Sequence, residues 1–140
     1  MDYLNATDVR KNWSITLDSV VHDKPAYIKR TRDEIAMMDV RMLSYLLKIY
    51  QYIAEKYVEP DGSITLSLKD MDLVVNSIDE ESAKDELSGE ILEYAEEYYK
   101  DFSIWSTATN RQNHIPYVIK ALMMDRESIR ESIICLDGKN

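Results

Sequence analysis

The stretch Asn5-Ala6-Thr7-Asp8-Val9-Arg10-Lys11-Asn12-Trp13-Ser14, followed by Lys24-Pro25-Ala26-Tyr27-Ile28-Lys29-Arg30, decides how the first part of this sequence folds. Apolar residues in and after the first run recur near the 3.6-residue period of a helix, and either Asn5 or Thr7 can cap its first turn. Pro25 disfavours helical geometry at the preceding residue. The sequence therefore predicts one helix that ends before Pro25 and a strand that follows it, with a short strand at residues 3–5.

A hairpin is predicted next. Residues 26–30 and 34–38 are short β-compatible runs, and Thr31-Arg32-Asp33 separates them. This arrangement places Arg30 and Arg32 at a charged hairpin tip.

A long helix is predicted from Asp39, which can cap it, to Tyr57, because apolar residues again recur at helical spacing. The run Glu59-Pro60-Asp61-Gly62 stops it, since proline presets φ and glycine tolerates positive φ. Residues 63–68 and 71–76 then alternate in polarity and predict a second hairpin.

An acidic helix is predicted to begin at Asp79-Glu80-Glu81, where acids favour the positive end of the helix dipole, and to reach Asp101. Residues 117–124 and 128–134 predict further helical pieces. The fold class is therefore α+β: a small N-terminal module, residues 1–58 including the long connecting helix, and a hairpin-plus-helices lobe, residues 63–136.

Charge is distributed unevenly along the 140 residues, whose formal net charge is −9. Residues 1–32 carry six basic and four acidic side chains, whereas residues 55–101 carry four basic and fifteen acidic ones. The overall charge excludes a general nucleic-acid binder, because such proteins need clustered lysine and arginine to neutralise phosphates. The N-terminal end is the mildly basic exception.

The two N-terminal stretches resemble the N-terminal module of the prevent-host-death (Phd/YefM) antitoxins. The similarity lies in an Arg-x-Asn-hydrophobic-Ser pattern, here Arg10, Asn12, Trp13 and Ser14, then a strand ending in an arginine, here Arg30, and a second strand entering a helix. It covers about forty residues. The family often has a glycine in the hairpin tip, where this sequence has none.

The resemblance implies a homodimer that binds operator DNA in its own promoter, and a C-terminal region that blocks a cognate toxin, often a ribonuclease. Arg10, Lys11 and Asn12 near the start of the first helix, with Arg30 and Arg32 at the hairpin tip, are the DNA-binding candidates. Arginine suits this role because it donates bidentately to guanine and also binds phosphates.

The acidic helix has two interpretations. It is either an ordinary solvated face or a surface for a basic partner such as an RNA-cleaving toxin. Under the second interpretation the aromatic residues in and after it would anchor the toxin. These candidates are Tyr94, Tyr98, Tyr99 and Trp105.

Catalysis, metal binding and cofactors find no support in the sequence. His22 and His114 lie in no recognisable motif, Cys135 has no partner cysteine, and the three glycines form no phosphate loop. No signal peptide or membrane span is predicted, which favours a cytoplasmic protein. Two alternatives remain open: a protein interaction module without a DNA role, and a small enzyme that uses buried carboxylates.

Overall fold

The computed structural model describes residues 1–139, and the chain divides into two compact units, Met1–Leu46 and Leu47–Asn140. They are called the N-terminal unit and the C-terminal unit below. Both combine helices with a small sheet, which confirms the predicted α+β class.

The N-terminal unit contains a three-stranded sheet and three helices. Its elements in chain order are β1 (Leu4–Asn5), α1 (Ala6–Lys11), α2 (Trp13–His22), β2 (Ala26–Arg30), β3 (Asp33–Met37) and α3 (Val40–Leu46). The strand order is β1-β2-β3, with β1 parallel and β3 antiparallel to β2. Asn5 caps α1, because its side chain accepts a hydrogen bond of 2.8 Å from the Thr7 backbone N–H.

The single first helix of the prediction is in fact two helices. Asn12, with φ −119° and ψ 40°, leaves helical geometry between α1 and α2. Its side-chain Nδ2 donates to the Asp8 carbonyl at 3.0 Å. Asparagine competes for backbone partners in this way, so the break falls at a residue that disfavours helix interiors.

The first hairpin is confirmed, with a tighter turn than predicted. Arg30 pairs with Asp33 at the end of the ladder, so Thr31 and Arg32 alone form the turn. Thr31 has φ 54°, the left-handed region that glycine adopts most easily. The absence of glycine therefore leaves a β-branched residue in a conformation that costs about 1–2 kcal/mol.

The predicted long helix over residues 39–57 is correct only in its first part. The helix α3 ends at Leu46, and Ile53–Val58 forms strand β4 of the C-terminal unit. Tyr52 and Ala54 are both fully buried, with the spacing of two that a strand gives. Strands pair with β4 on both sides, and this tertiary pairing overrides the helical periodicity. The boundary between the units accordingly lies before β4 rather than after it.

The C-terminal unit contains a four-stranded sheet and four helices. Its elements are β4, β5 (Ile64–Leu68), β6 (Leu73–Ser77), α4 (Glu80–Lys100), α5 (Phe102–Trp105), α6 (Ile115–Leu122), α7 (Arg126–Ser132) and β7 (Ile134–Asp137). Short 3₁₀ turns occupy Lys69–Met71 and Gln112–His114. The strand order is β6-β5-β4-β7, and β7 runs parallel to β4.

The second hairpin, β5 with β6, and the acidic helix α4 are confirmed. Asp79 caps α4 by accepting a 2.7 Å hydrogen bond from the Ser82 backbone N–H. The same hydrogen bond lowers the pKa of the Asp79 carboxyl. Strand β7 was not predicted. Residues 128–134 were predicted to be helical, but α7 ends at Ser132 and β7 begins at Ile134.

Candidate functional site

Arg10, Lys11 and Asn12 lie at the junction of α1 and α2. Arg10 and Lys11 occupy the last turn of α1, which corrects their predicted place near the start of the first helix. Both side chains are exposed, and neither forms an ion pair with another residue of the described range 1–139. Asn12 is held by its bond to the Asp8 carbonyl, so its amide is partly committed within the chain.

Arg30 and Arg32 lie at the hairpin tip, as predicted. The Arg30 guanidinium donates to the Asp33 carboxylate at 2.8 Å, with side chains 70% and 59% exposed. Such an exposed pair is weak, on the order of 0–1 kcal/mol, so a phosphate or base can displace Asp33. Arg32 is exposed and has no ion-pair partner among residues 1–139.

The sheet register brings one end of α1 beside the hairpin tip. Asn5 pairs with Lys29, so α1 begins next to the end of β2 that carries Arg30. Arg10 and Lys11 lie at the other end of α1. They are separated from the hairpin tip by the length of this helix, which rises about 1.5 Å per residue. The five DNA-binding candidates thus fall into two groups, one at each end of α1.

The N-terminal unit exposes a large amount of apolar surface. Only Val9, Thr16, Val20 and Ile28 are buried. Apolar side chains of α2 and α3 are exposed by 38–72%, namely Trp13, Ile15, Leu17, Val21, Val40, Met42, Tyr45 and Leu46. Exposed apolar patches on this scale mark interaction surfaces in soluble proteins.

The C-terminal half of α4 carries four exposed glutamates. Glu90, Glu93 and Glu97 follow one another at helical spacing, and Glu96 lies beside them. None of the four forms an ion pair within the part of the chain that the structure describes. Neighbouring like charges at this spacing destabilise a helix slightly, so these four glutamates do not stabilise α4.

Three of the four predicted toxin-contacting aromatic residues, Tyr94, Tyr98 and Trp105, line one pocket. The pocket has a volume of about 330 Å³, and its other lining residues are Asp72, Leu73, Glu97 and Arg111. Tyr99 is not part of it; its ring is 63% exposed and packs edge-on against Phe102 at 6.3 Å.

Tyr98 requires a correction, because its side chain is 1% exposed and belongs to the core. Its hydroxyl donates to the Arg111 carbonyl at 2.9 Å. Burial raises the pKa of this hydroxyl. Tyr98 therefore supports the pocket from behind and is not available as a surface anchor.

A chain of hydrogen bonds fixes the pocket wall. Arg111 Nη1 donates to the Tyr94 hydroxyl at 2.9 Å, and that hydroxyl lies 2.6 Å from His114 Nδ1. His114 Nε2 faces the Asp72 carboxylate at 3.5 Å. The neutral tautomer of His114 with a proton on Nε2 is compatible with all of these contacts. Its Nδ1 accepts from the Tyr94 hydroxyl, and its Nε2–H points to the Asp72 carboxylate. His114 is 1% exposed, and its burial lowers its pKa despite the nearby Asp72.

Asp72 and Arg111, which line the pocket, and His114, which holds its wall, were not predicted from the sequence to be site residues. Arg111 and His114 lie three residues apart at the 3₁₀ turn Gln112–His114, whereas Asp72 follows the distant turn Lys69–Met71, and no short-range spacing connects it to them. Glu97 was included only in the general acidity of α4. One local signal exists after the fact: Asp72 has φ 54°, a left-handed conformation that aspartate tolerates better than most residues and that is enriched at functional sites.

Across residues 1–139 no group of three His, Cys, Asp or Glu side chains is arranged to hold a metal ion. In the same range no helix is both long and apolar enough to cross a membrane.

Comparison with known proteins gives one family and one closely similar structure. The PHD-like family model, described as antitoxin of toxin-antitoxin, RelE / RelB, TA system, matches residues 1–135. A crystal structure from Syntrophomonas wolfei subsp. wolfei, described as an antitoxin part of a proposed toxin/antitoxin system, superposes with a TM-score of 0.92 at 33% identity. That match covers 99% of this chain and 100% of the other.

Curated proteins give no match to this sequence. The family match extends well beyond the forty N-terminal residues that carried the sequence resemblance, and it includes the acidic lobe. The chain therefore belongs to the antitoxin family of RelE/RelB toxin–antitoxin systems.

Proposed function

We propose that this antitoxin binds its own operator DNA as a homodimer through the N-terminal unit and neutralises a basic toxin, a ribonuclease, through the acidic C-terminal unit. The observation that carries the proposal is the division of charge. The N-terminal unit has seven basic and seven acidic side chains, whereas the C-terminal unit has ten and nineteen. DNA and a cationic protein are thus assigned to different units.

The DNA half of the proposal rests on the free cations of the N-terminal unit. Arg10, Lys11 and Arg32 are exposed without an intramolecular carboxylate partner in residues 1–139, and Arg30 is held only by an exposed pair. Four cations alone would bind DNA weakly, and two copies of the patch would span neighbouring half-sites. This is the Phd/YefM mode of action that the N-terminal sequence resembles.

The homodimer rests on the exposed apolar surface of α2 and α3. Burial of apolar area contributes about 25 cal/mol per Å², so a second copy that covers these side chains would stabilise a unit with a very small core. Pairing through this surface would also fix the spacing between the two cationic patches.

The toxin half rests on the unpaired glutamates of α4 and the neighbouring aromatic rings. Negative potential on Glu90, Glu93, Glu96 and Glu97 would accelerate encounter with a cationic partner. Tyr99 and Trp105, exposed by 63% and 38%, would supply contact area close to this charge. The role is regulatory and non-catalytic, and its place is the cytoplasm.

A gel shift with the protein's own promoter, at one fixed salt concentration, tests the DNA half. Arg10→Ala and Arg30→Ala should each weaken sequence-specific binding by about tenfold, while Lys100→Ala on the exposed end of α4 serves as the charge-matched control and should change little. If the parent chain does not bind, alone or with the neighbouring gene product, the protein is an interaction module without a DNA role.

Co-expression with the small basic product of the adjacent reading frame tests the toxin half. The full chain should rescue growth, and a variant with glutamine at positions 90, 93, 96 and 97 should not. Rescue by residues 1–46 alone would contradict the assignment of neutralisation to the C-terminal unit.

A further inference from the structure

The pocket beside α4 has the size of a receptor for one long side chain. Its volume of about 330 Å³ lies at the lower end of the range for small-molecule sites. The rings of Tyr94 and Trp105 form part of its wall, and α4 contributes Glu97. A pocket of this size beside a candidate interface is typical of a site for a partner's anchor residue.

The walls of the pocket are held before any partner arrives. The Tyr94 hydroxyl is fixed between Arg111 and His114, and the Tyr98 hydroxyl holds the Arg111 backbone. The Arg111 guanidinium lies 5.6 Å from the Tyr94 ring centroid and 5.8 Å from that of Trp105. A partner would therefore lose little free energy in ordering this site.

The open charge in the pocket is negative. Asp72 and Glu97 contribute two carboxylates against the single guanidinium of Arg111. Neither carboxylate forms an ion pair with Arg111. The Asp72 side chain, which faces His114 Nε2 at 3.5 Å, is still 67% exposed. Arg111 is instead committed to the Tyr94 hydroxyl and the two rings. Glu90 and Glu93 extend the negative surface along α4 toward Glu97.

We propose that this pocket accepts one cationic side chain, arginine or lysine, from the basic toxin. The carboxylates of Asp72 and Glu97 bind its charged end, and the wall formed by Tyr94 and Trp105 packs against its aliphatic stem. This inference rests on the proposed toxin-binding function and identifies the chemical feature of the toxin that the C-terminal unit recognises.

Calorimetric titration of the intact chain with the co-transcribed toxin tests the proposal at a fixed ionic strength. Glu97→Gln should weaken binding by about tenfold or more, since it removes a charge from a desolvated contact. Asp72→Asn, which keeps a residue tolerant of the left-handed conformation, should have a similar effect. Glu90→Gln is the matched control on the same helix, outside the pocket, and should weaken binding by only about twofold.

An equal loss of toxin affinity in Glu97→Gln and Glu90→Gln would contradict the pocket proposal, because only net charge would then determine binding. The proposed function would still hold. Failure of the parent chain to bind the toxin would contradict the proposed function itself. In that case a second measurement, independent of the toxin, decides whether the pocket selects cations.

The second measurement is the fluorescence of Trp105 in a Trp13→Phe chain, where it is the only tryptophan. An acetylated Gly-Arg-Gly amide should change the emission saturably at millimolar concentration, and Glu97→Gln should shift the midpoint several-fold. The same peptide with neutral citrulline should have much less effect. Equal effects of the two peptides, or tighter binding of a Gly-Glu-Gly amide, would overturn the proposal.

Discussion

The two units of this antitoxin bury their apolar residues to very different extents. In the C-terminal unit fifteen buried residues from the sheet and the helices form one continuous core. In the N-terminal unit four residues are buried, and Trp13, Ile15 and Tyr45 are among the side chains left at least half exposed. The C-terminal unit has the core of an independent fold, whereas the N-terminal unit has a very small core and an exposed apolar surface of the kind that a partner covers.

Charge follows the same division. The N-terminal unit is neutral by count, so its few free cations are not opposed by a large negative field of its own. The C-terminal unit carries the whole net charge of −9. Under the proposed function this separation is favourable, because an acidic surface close to the DNA-binding residues would repel the operator.

The largest expected effect lies in the C-terminal core. Leu87→Ala removes a fully buried side chain of α4, and it should lower the free energy of unfolding by about 3–5 kcal/mol. Urea denaturation of the parent and the variant measures the change. Val74→Ala, at a side chain 64% exposed on β6, is the control and should cost under about 0.5 kcal/mol. A loss below about 1 kcal/mol for Leu87→Ala would mean that this core is loosely packed.

The N-terminal unit should depend on protein concentration. If folding is coupled to dimerisation, a tenfold rise in concentration should stabilise this unit by about 1.4 kcal/mol. Scanning calorimetry at two concentrations measures the shift, and the emission of Trp13 in a Trp105→Phe chain gives the local signal. Ile15→Asp on α2 should abolish it, whereas Val74→Asp on the C-terminal sheet should not. An unfolding transition that does not depend on concentration would contradict the difference drawn between the two units.

The hairpin tip offers a stabilising substitution. Thr31→Asn should raise the stability of the N-terminal unit by up to about 1 kcal/mol, because asparagine tolerates the φ of 54° better than threonine. Thermal denaturation checks it, with Thr109→Asn in a loop of the other unit as the control. No gain at Thr31 would indicate that the turn relaxes at little cost.

The smallest effect concerns pH and the C-terminal unit. Burial holds the pKa of His114 below its ordinary value of 6.5. As pH falls below 6.5, His114 in the unfolded chain binds a proton that the folded chain does not bind. The free energy of unfolding is therefore highest above this pH and declines below it. The decline ends once pH is below the folded pKa. Unfolding measured between pH 7 and 5 should show it, and His114→Gln should flatten it. His22→Gln, at an exposed site, should leave it unchanged.

Local signals in the sequence predicted much of the fold. Asn5 as a candidate cap, the acidic run that begins at Asp79, the proline at position 25 and the turn at 59–62 indicated where several elements begin or end. The segment 47–57 could not be assigned in this way, since its apolar residues fit a helical period. Only pairing with β5 and β7, which are distant in sequence, selects a strand there.

The candidate site was predictable only in part. The aromatic spacing on α4 singled out Tyr94 and Tyr98, but not which of them the core would bury. Packing of the 3₁₀ turn Gln112–His114 and of α6 against α4 determines which tyrosine is buried. No local pattern in the sequence predicts this packing. Asp72, Arg111 and His114 meet for the same reason. Arg30 was placed correctly, yet its bond to Asp33 depended on a turn one residue shorter than predicted.

The most direct test of the account is the affinity of the intact chain for the co-transcribed toxin, measured with two sets of variants at one ionic strength. Glutamine at positions 90, 93, 96 and 97 should weaken toxin binding by about a hundredfold, while alanine at positions 10 and 30 should leave it unchanged. The opposite result, with toxin binding lost in the arginine variant and kept in the glutamate variant, would contradict the division of function between the two units.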